Sequence, residues 1–170
     1  MCDERARSLP NDARTAIVEY LSFYQGGSNQ AKKVNVQSPI HPSVDRAYQI
    51  LEPYFLKYIE EQDLFDFPEM EKIILDLIPQ DKAEQGGLRD AMRTAWAGSQ
   101  YGSGYKFKQL RKSLRAGPGE KAPMQEKEAY KCALVEIVFS FIYPRLDVNV
   151  SKQMHHLLKS PFCVHPKTGM

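Results

Sequence analysis

Residues 124–141 read MQEKEAYKCALVEIVFSF, and the spacing of their apolar residues decides the fold class. These apolar residues recur at helical intervals: Leu134, Ile137, Val138 and Phe141. Pro144 follows shortly afterwards and is a typical helix end. We therefore predict a helix from Met124 to Phe141.

Three segments upstream show the same helical period: residues 9–27, 41–62 and 66–79. The faces predicted to be buried are Ala13, Ile17, Tyr20, Leu21 and Tyr24; Val44, Tyr48, Leu51, Phe55 and Tyr58; and Met70, Ile73, Ile74 and Leu77. Pro53 is expected to kink or split the second helix. A weaker helix is predicted over Leu88–Ala97. The chain is therefore predicted to be mainly α.

Downstream of Pro144 the period changes from helical to alternating. Leu146, Val148 and Val150 would share one face of a strand, with Asp147 on the other face. Ser151 would then cap a short helix, KQMHHLLK, before a turn and a second short strand. A short strand-helix-turn-strand piece is thus expected to follow the helices.

The composition limits the possible classes of function. At 170 residues with 42% apolar content, the chain can bury a core of its own, and a net charge of +2 excludes an overall basic surface. One local basic segment, Tyr105–Arg115, reads YKFKQLRKSLR and fits either a solvated helix face or a phosphate contact. Three widely spaced cysteines favour a reducing compartment. No stretch has the length of a membrane span or the pattern of a secretory signal, so we expect a cytosolic or nuclear protein without a membrane partner.

Chemically active side chains concentrate in residues 143–169. The predicted elements would bring Asp147, Lys159 and His165 to one side, which suggests a phosphate-bearing ligand beside a metal ion. Asp147 also fits a surface ion pair with Arg145. Cys163 and His165 lack the second pair of ligands that a zinc site needs.

Three motifs in this region carry a family resemblance: YPRLDVNVS at 143–151, HLLKSPF at 156–162 and VHPKTG at 164–169. In that order and spacing they resemble the small catalytic subunit of the eukaryotic type of DNA primase. CDERARSL and AIVEYLSFYQGG, near the start of the chain, more weakly resemble the stretch that follows the family's Ser-Gly-Arg-Arg-Gly-x-His motif.

The resemblance implies a role for each matched residue. Asp147 matches the third catalytic carboxylate, which binds Mg²⁺ or Mn²⁺ beside an Asp-x-Asp pair. The nucleotide-contacting residues would be His156, Leu157, Leu158, Lys159 and His165, with Lys159 against the triphosphate. The family's Asp-x-Asp pair, its Ser-Gly-Arg-Arg-Gly-x-His motif and its cysteine zinc site do not occur among these residues.

The resemblance also implies an organisation and a function. Residues 1–142 would form the helical subdomain, and residues 143–170 part of the catalytic core, as an internal piece of the family's protein. The whole protein is expected to act in the nucleus, with the primase large subunit and replicative DNA polymerase alpha. It would make short RNA primers on single-stranded DNA from ribonucleoside triphosphates. Because one carboxylate cannot hold two metal ions, little or no polymerisation is expected of the isolated chain.

A second reading stays open. The chain could be a non-catalytic helical module that binds a partner subunit or single-stranded nucleic acid through the basic segment. Strong salt dependence would be the mark of such phosphate contacts.

Overall fold

A computed structural model describes residues 3–24, 34–80, 87–120 and 122–154. Eight α-helices and one 3-10 helix lie within these ranges: α1 Glu4–Arg7, α2 Asn11–Leu21, α3 Pro42–Gln62, the 3-10 helix Leu64–Asp66, α4 Pro68–Asp76, α5 Leu88–Trp96, α6 Ser103–Ala116, α7 Met124–Ile142 and α8 Val148–Lys152. The only β pairing in these ranges is an isolated antiparallel bridge between Tyr24 and Val34. The prediction of a mainly α chain is confirmed.

The described residues divide into two compact units. Unit 1 comprises residues 1–22 and 144–170, and unit 2 comprises residues 23–143. Unit 1 joins both ends of the chain, with α8 packed on α2. The division at residue 142 that the family resemblance implies stays a prediction.

Helix α7 is the centre of unit 2. Eight consecutive residues, Cys132–Phe139, are buried, so this part of the helix is covered on every side. Helices α3 and α6 both pack against α7. The Phe55 ring lies 5.0 Å from Phe107 of α6 and 5.5 Å from Phe141 of α7, between ring centroids. An aromatic contact therefore joins all three helices.

The ends of the helices follow local chemistry. Helix α3 ends at Asp63, which adopts a left-handed conformation with φ 43°. Helix α6 ends at Gly117, where φ is 74° and a side chain would be strained. Helix α7 ends just before Pro144, as predicted.

Some predicted buried faces are wrong. Tyr20 and Leu21 of α2 are exposed, as are Tyr58 of α3 and Ile73 of α4. Pro53 lies inside one continuous helix, so the predicted alternative of a split does not occur. The physical reason is that packing by neighbouring helices selects which side of an amphipathic pattern is covered.

Helices α3 and α6 approach closely because α6 carries a glycine at their contact. A Cβ added to Gly104 would lie only 2.7 Å from the Cγ of Glu60. Glu52 of α3 contacts Arg111 and Arg115 late in α6, whereas Glu60 contacts Lys108 earlier in α6. The two helices therefore run in opposite directions.

Two charged side chains lie in the core of unit 2. Glu136 is 2% exposed, and its Oε1 accepts a hydrogen bond from the Val36 backbone N–H at 2.9 Å. Lys106 is 6% exposed, and its Nζ lies 2.9 Å from Glu71 Oε2 and 5.9 Å from the centre of the Trp96 ring. Lys106 thus has an opposite charge beside it, and Glu136 has a hydrogen-bond donor, as burial of polar groups requires.

None of the helices in the described residues combines the length and the apolar character that crossing a bilayer requires.

Replacement of Glu136 should lower the stability of the chain, because it removes the hydrogen bond to the Val36 N–H. Glu136→Ala leaves a buried N–H without that acceptor, and we expect the free energy of unfolding in urea to fall by about 2 kcal/mol. Glu136→Gln keeps an acceptor and should lose less. Glu61→Ala, an exposed change on α3, is the control; equal stability of the Glu136→Ala and Glu61→Ala variants would contradict this assignment.

Removal of one partner from the Lys106–Glu71 pair should be costly. Glu71→Ala leaves a buried ammonium group without its carboxylate, so we expect a loss of about 3 kcal/mol of unfolding free energy. The double variant Lys106→Met with Glu71→Leu should recover most of the lost free energy of unfolding, because no charge remains buried.

The exposed pair Lys57–Glu61 on α3 is the matched control for the buried pair. A double-mutant cycle on this pair should give less than about 1 kcal/mol of coupling energy. Similar coupling energies for the two pairs would show that Lys106 is solvated in solution.

Candidate functional site

Asp147 begins a helix instead of lying in a strand. Its backbone is extended, and its Oδ1 accepts a hydrogen bond from the Val150 N–H at 3.2 Å, which caps α8. The strand predicted over residues 146–150 is therefore wrong. The described ranges contain no strand with which residues 146–150 could pair. An aspartate at a helix cap instead accepts a hydrogen bond from a free N–H a few residues away.

The predicted role of Ser151 is also wrong. Ser151 lies inside α8, and its N–H donates to the Asp147 carbonyl at 3.0 Å. The remainder of the predicted strand-helix-turn-strand piece lies beyond residue 154, outside the described residues.

Asp147 is exposed and retains a carboxylate oxygen that the cap does not use. The other predicted site residues all lie outside the described residues: His156, Leu157, Leu158, Lys159 and His165. Among the described residues, no group of three or more His, Cys, Asp or Glu side chains could hold a metal ion. Mg²⁺ and Mn²⁺ bind carboxylate oxygens, so Asp147 can supply one ligand to such an ion. The other ligands would have to come from other residues.

Arg14 of α2 holds the segment that carries Asp147. Its side chain is buried, and its Nε donates to the Lys152 carbonyl at 2.9 Å across 138 residues of sequence. The same guanidinium donates to the carbonyls of Leu9 and Arg7. An arginine fork can serve three carbonyls at once, so Arg14 ties both ends of the chain into unit 1. The helical pattern of apolar residues did not indicate this role, because a buried arginine departs from that pattern.

The basic segment is largely neutralised inside unit 2. Lys108 pairs with Glu60, and Arg111 and Arg115 both pair with Glu52. Together with the buried Lys106, four of its five cations face acids on α3 or α4; Lys112 is exposed. Lys108, Lys112 and Arg115 are nevertheless exposed, so the prediction of a solvated helix face is confirmed for these three cations and wrong for the buried Lys106.

Within the described ranges, Glu52 of α3 has three partners in this network of charged and polar side chains. Besides the two arginines, it accepts a hydrogen bond from the Tyr48 hydroxyl at 2.5 Å. Burial, together with the Glu52 carboxylate, raises the pKa of the Tyr48 phenol well above its usual value. Tyr48 therefore stays neutral at physiological pH, and its hydroxyl donates a hydrogen bond to the Glu52 carboxylate.

Unit 2 also contains a cleft of 740 Å³ that no sequence motif indicated. Its walls include Asp76, Arg89, Glu128 and the buried Glu136. Hydrogen bonds from Lys131 and Ser38 hold the pKa of Glu128 below its usual value, while Arg89 donates to Asp76 and to the Ile78 carbonyl. Asp76 and Glu128 are thus engaged within the protein, whereas the Nε of Arg89 is buried without a hydrogen-bond partner among the described residues.

Loss of the Arg14 side chain should loosen the segment around Asp147. In Arg14→Ala we expect trypsin to cut after Lys152 about ten times faster, because the carbonyl of the bond to be cut loses its charged donor. Mass spectrometry of the fragments measures this rate. Arg5→Ala, an exposed change in α1, is the control, and unchanged cutting in the Arg14 variant would disprove the tether.

Comparison with known proteins extends over the whole chain. The family model for the DNA primase small subunit matches residues 1–170. The DNA primase small subunit of Schizosaccharomyces pombe is 35% identical over 173 residues, covering 99% of this chain and 36% of the relative. Those of Drosophila melanogaster and Saccharomyces cerevisiae are each 31% identical, covering 99% and 98% of this chain and 39% and 40% of the relatives.

The chain thus spans about two fifths of the length of these relatives. The match includes α2 with its Arg14 tether, the helices of unit 2 and the Asp147 cap. This chain belongs to the DNA primase small subunit family.

Proposed function

We propose that this chain supplies one metal-binding carboxylate to a primase active site that makes short RNA primers on single-stranded DNA. The observation that carries the proposal is Asp147, an exposed carboxylate held at a helix cap in a chain of this family. The reaction is nucleotidyl transfer between ribonucleoside triphosphates with release of pyrophosphate. The protein with this activity includes the remaining length of the family's chain.

The cap gives Asp147 a defined orientation for this task. Its Oδ1 is engaged by the Val150 N–H, which restricts side-chain rotation and leaves the second oxygen available to a ligand. Mg²⁺ or Mn²⁺, when bound, neutralises charge on the attacking and leaving oxygens. A preorganised carboxylate loses less entropy when it binds such an ion.

The nucleotide contacts proposed for the following segment rest on the motif match. Lys159 and His165 carry donors that suit phosphate oxygens, and His156, Leu157 and Leu158 complete the nucleotide-contacting motif. We propose that residues 143–170 belong to the catalytic core and residues 1–142 to the helical subdomain. The Arg14 bond to the Lys152 carbonyl joins residues of these two proposed regions within unit 1.

The partners and location proposed for the whole protein are those of replication in eukaryotes. They are the single-stranded DNA template, the primase large subunit, and replicative DNA polymerase alpha, in the nucleus. We also propose that the isolated chain is inactive, since Asp147 is one carboxylate and the reaction needs two held metal ions.

Primer synthesis tests the role of Asp147. The assay uses a poly-pyrimidine single-stranded template, Mn²⁺ and labelled ribonucleotides. We compare the isolated chain with a protein in which it replaces the matching segment of the S. pombe relative. We expect primers only from the second protein, and a loss of more than about 100-fold with either Asp147→Ala or Asp147→Asn.

Asp147→Asn is the decisive variant, because asparagine caps a helix about as well as aspartate but lacks the charge that binds the metal. Asp66→Asn, in the 3-10 helix, is the matched control and should stay active. Full activity of the Asp147→Asn variant would refute the metal role. Activity of the isolated chain would refute the proposed incompleteness of its site.

A further inference from the structure

Helix α6 presents a face that its ion pairs leave in solvent. Tyr101 and Tyr105 are 47% and 54% exposed, and their ring centroids lie 4.6 Å apart with planes tilted by 33°. Lys108 and Lys112 follow Tyr105 at intervals of three and seven residues, which places them on the same side of the helix. We call these four residues the tyrosine-lysine face.

Packing among the described residues of unit 2 does not explain why the rings of Tyr101 and Tyr105 are exposed. Two neighbouring phenol rings that expose about half their surface leave apolar area in water, while the ring of Trp96 nearby in sequence is 2% exposed. Flat exposed rings are the surfaces on which unpaired bases stack, and stacking accepts every base.

The charged part suits a phosphate backbone. Helix α6 contains five cations and no acid, and the exposed Lys112 has no acid partner among the described residues. Lys108 pairs with Glu60 at 3.3 Å, but both side chains are about half exposed. Surface pairs of this kind contribute little free energy, so a phosphate can replace Glu60 at low cost.

The spacing fits a short length of single strand. From Tyr105 to Lys112 the helix rises by about 10 Å, at about 1.5 Å per residue. Aromatic rings therefore lie at one end of the face and cations at the other, within reach of neighbouring nucleotides.

We propose that the tyrosine-lysine face binds single-stranded nucleic acid, with a base stacked on the Tyr101–Tyr105 pair and phosphates on Lys108 and Lys112. The face belongs to unit 2, whereas Asp147 belongs to unit 1. The inference concerns binding alone and does not rest on the proposed polymerisation. The proposed binding surface is narrower than the whole basic segment, because Lys106 is buried and Arg111 and Arg115 pair with Glu52.

Fluorescence anisotropy with a labelled oligo(dT) of 20 nucleotides, in EDTA and at several salt concentrations, tests the face. We expect Tyr105→Ala to weaken binding at least about fivefold, since stacking depends on the ring. Tyr105→Phe keeps the ring and should bind almost normally. Lys112→Gln should lower the slope of log affinity against log salt by about 0.7.

The outer face of α3 offers matched controls. Tyr54 is 66% exposed and Lys57 is exposed, so Tyr54→Ala and Lys57→Gln remove the same side chains elsewhere. Both should bind like the unchanged chain, and the EDTA in the assay separates this proposal from the metal-dependent catalytic one. Binding should also be weaker to a duplex of the same length, whose base faces are covered.

Four results would overturn the proposal. The first is that the unchanged chain does not bind the oligonucleotide, and the second is that neither Tyr105→Ala nor Lys112→Gln changes its binding. The third is that the α3 control variants lose as much affinity as these two variants. The fourth is that the chain binds duplex and single strand with equal affinity. Photo-crosslinking with a bromouracil oligonucleotide gives a second readout. The crosslinked peptide should contain Tyr101 or Tyr105, and crosslinks confined to other peptides would equally exclude this face.

Discussion

Complete coverage of Cys132–Phe139 imposes the arrangement of unit 2, because a helix that is buried on all sides needs neighbours on all sides. Helices α3 and α6 supply two of these neighbours, joined to α7 through the Phe55 ring. Glu136 lies inside this covered stretch, so its carboxylate has to find a donor, and the Val36 N–H provides one. The loop that contains Val36 is thereby attached to the central helix.

The same packing decides which charges remain available for binding. Because α3 and α6 run in opposite directions at close range, Glu52 and Glu60 of α3 meet cations spread along α6. Lys106 points to the other side and joins Glu71 beneath the Trp96 ring. Of the five cations in this segment, Lys106 is thus withdrawn from solvent, whereas Lys108, Lys112 and Arg115 remain exposed on a surface that tyrosines share.

Unit 1 follows a different constraint. Few apolar residues are buried in its described part, where polar bonds are prominent: Arg14 donates to the carbonyls of Arg7, Leu9 and Lys152, and Asp147 caps the helix that follows. A carboxylate in this position is both fixed and accessible. Those are the two properties that a metal ligand needs, and they connect the local structure with the function proposed for this family member.

The sequence alone determined the long helix α7, since Leu134, Ile137 and Val138 recur at a period that only a helix places on one face, and Pro144 ends that helix as predicted. Its motifs also determined the family. Tertiary structure decided the rest. The burial of Lys106 and Arg14 depends on acids and carbonyls far away in sequence, which local periodicity does not encode. The alternation at Leu146, Val148 and Val150 predicted a strand, but the cap by Asp147 stabilises a helix there, because a strand needs a partner and a helix cap does not.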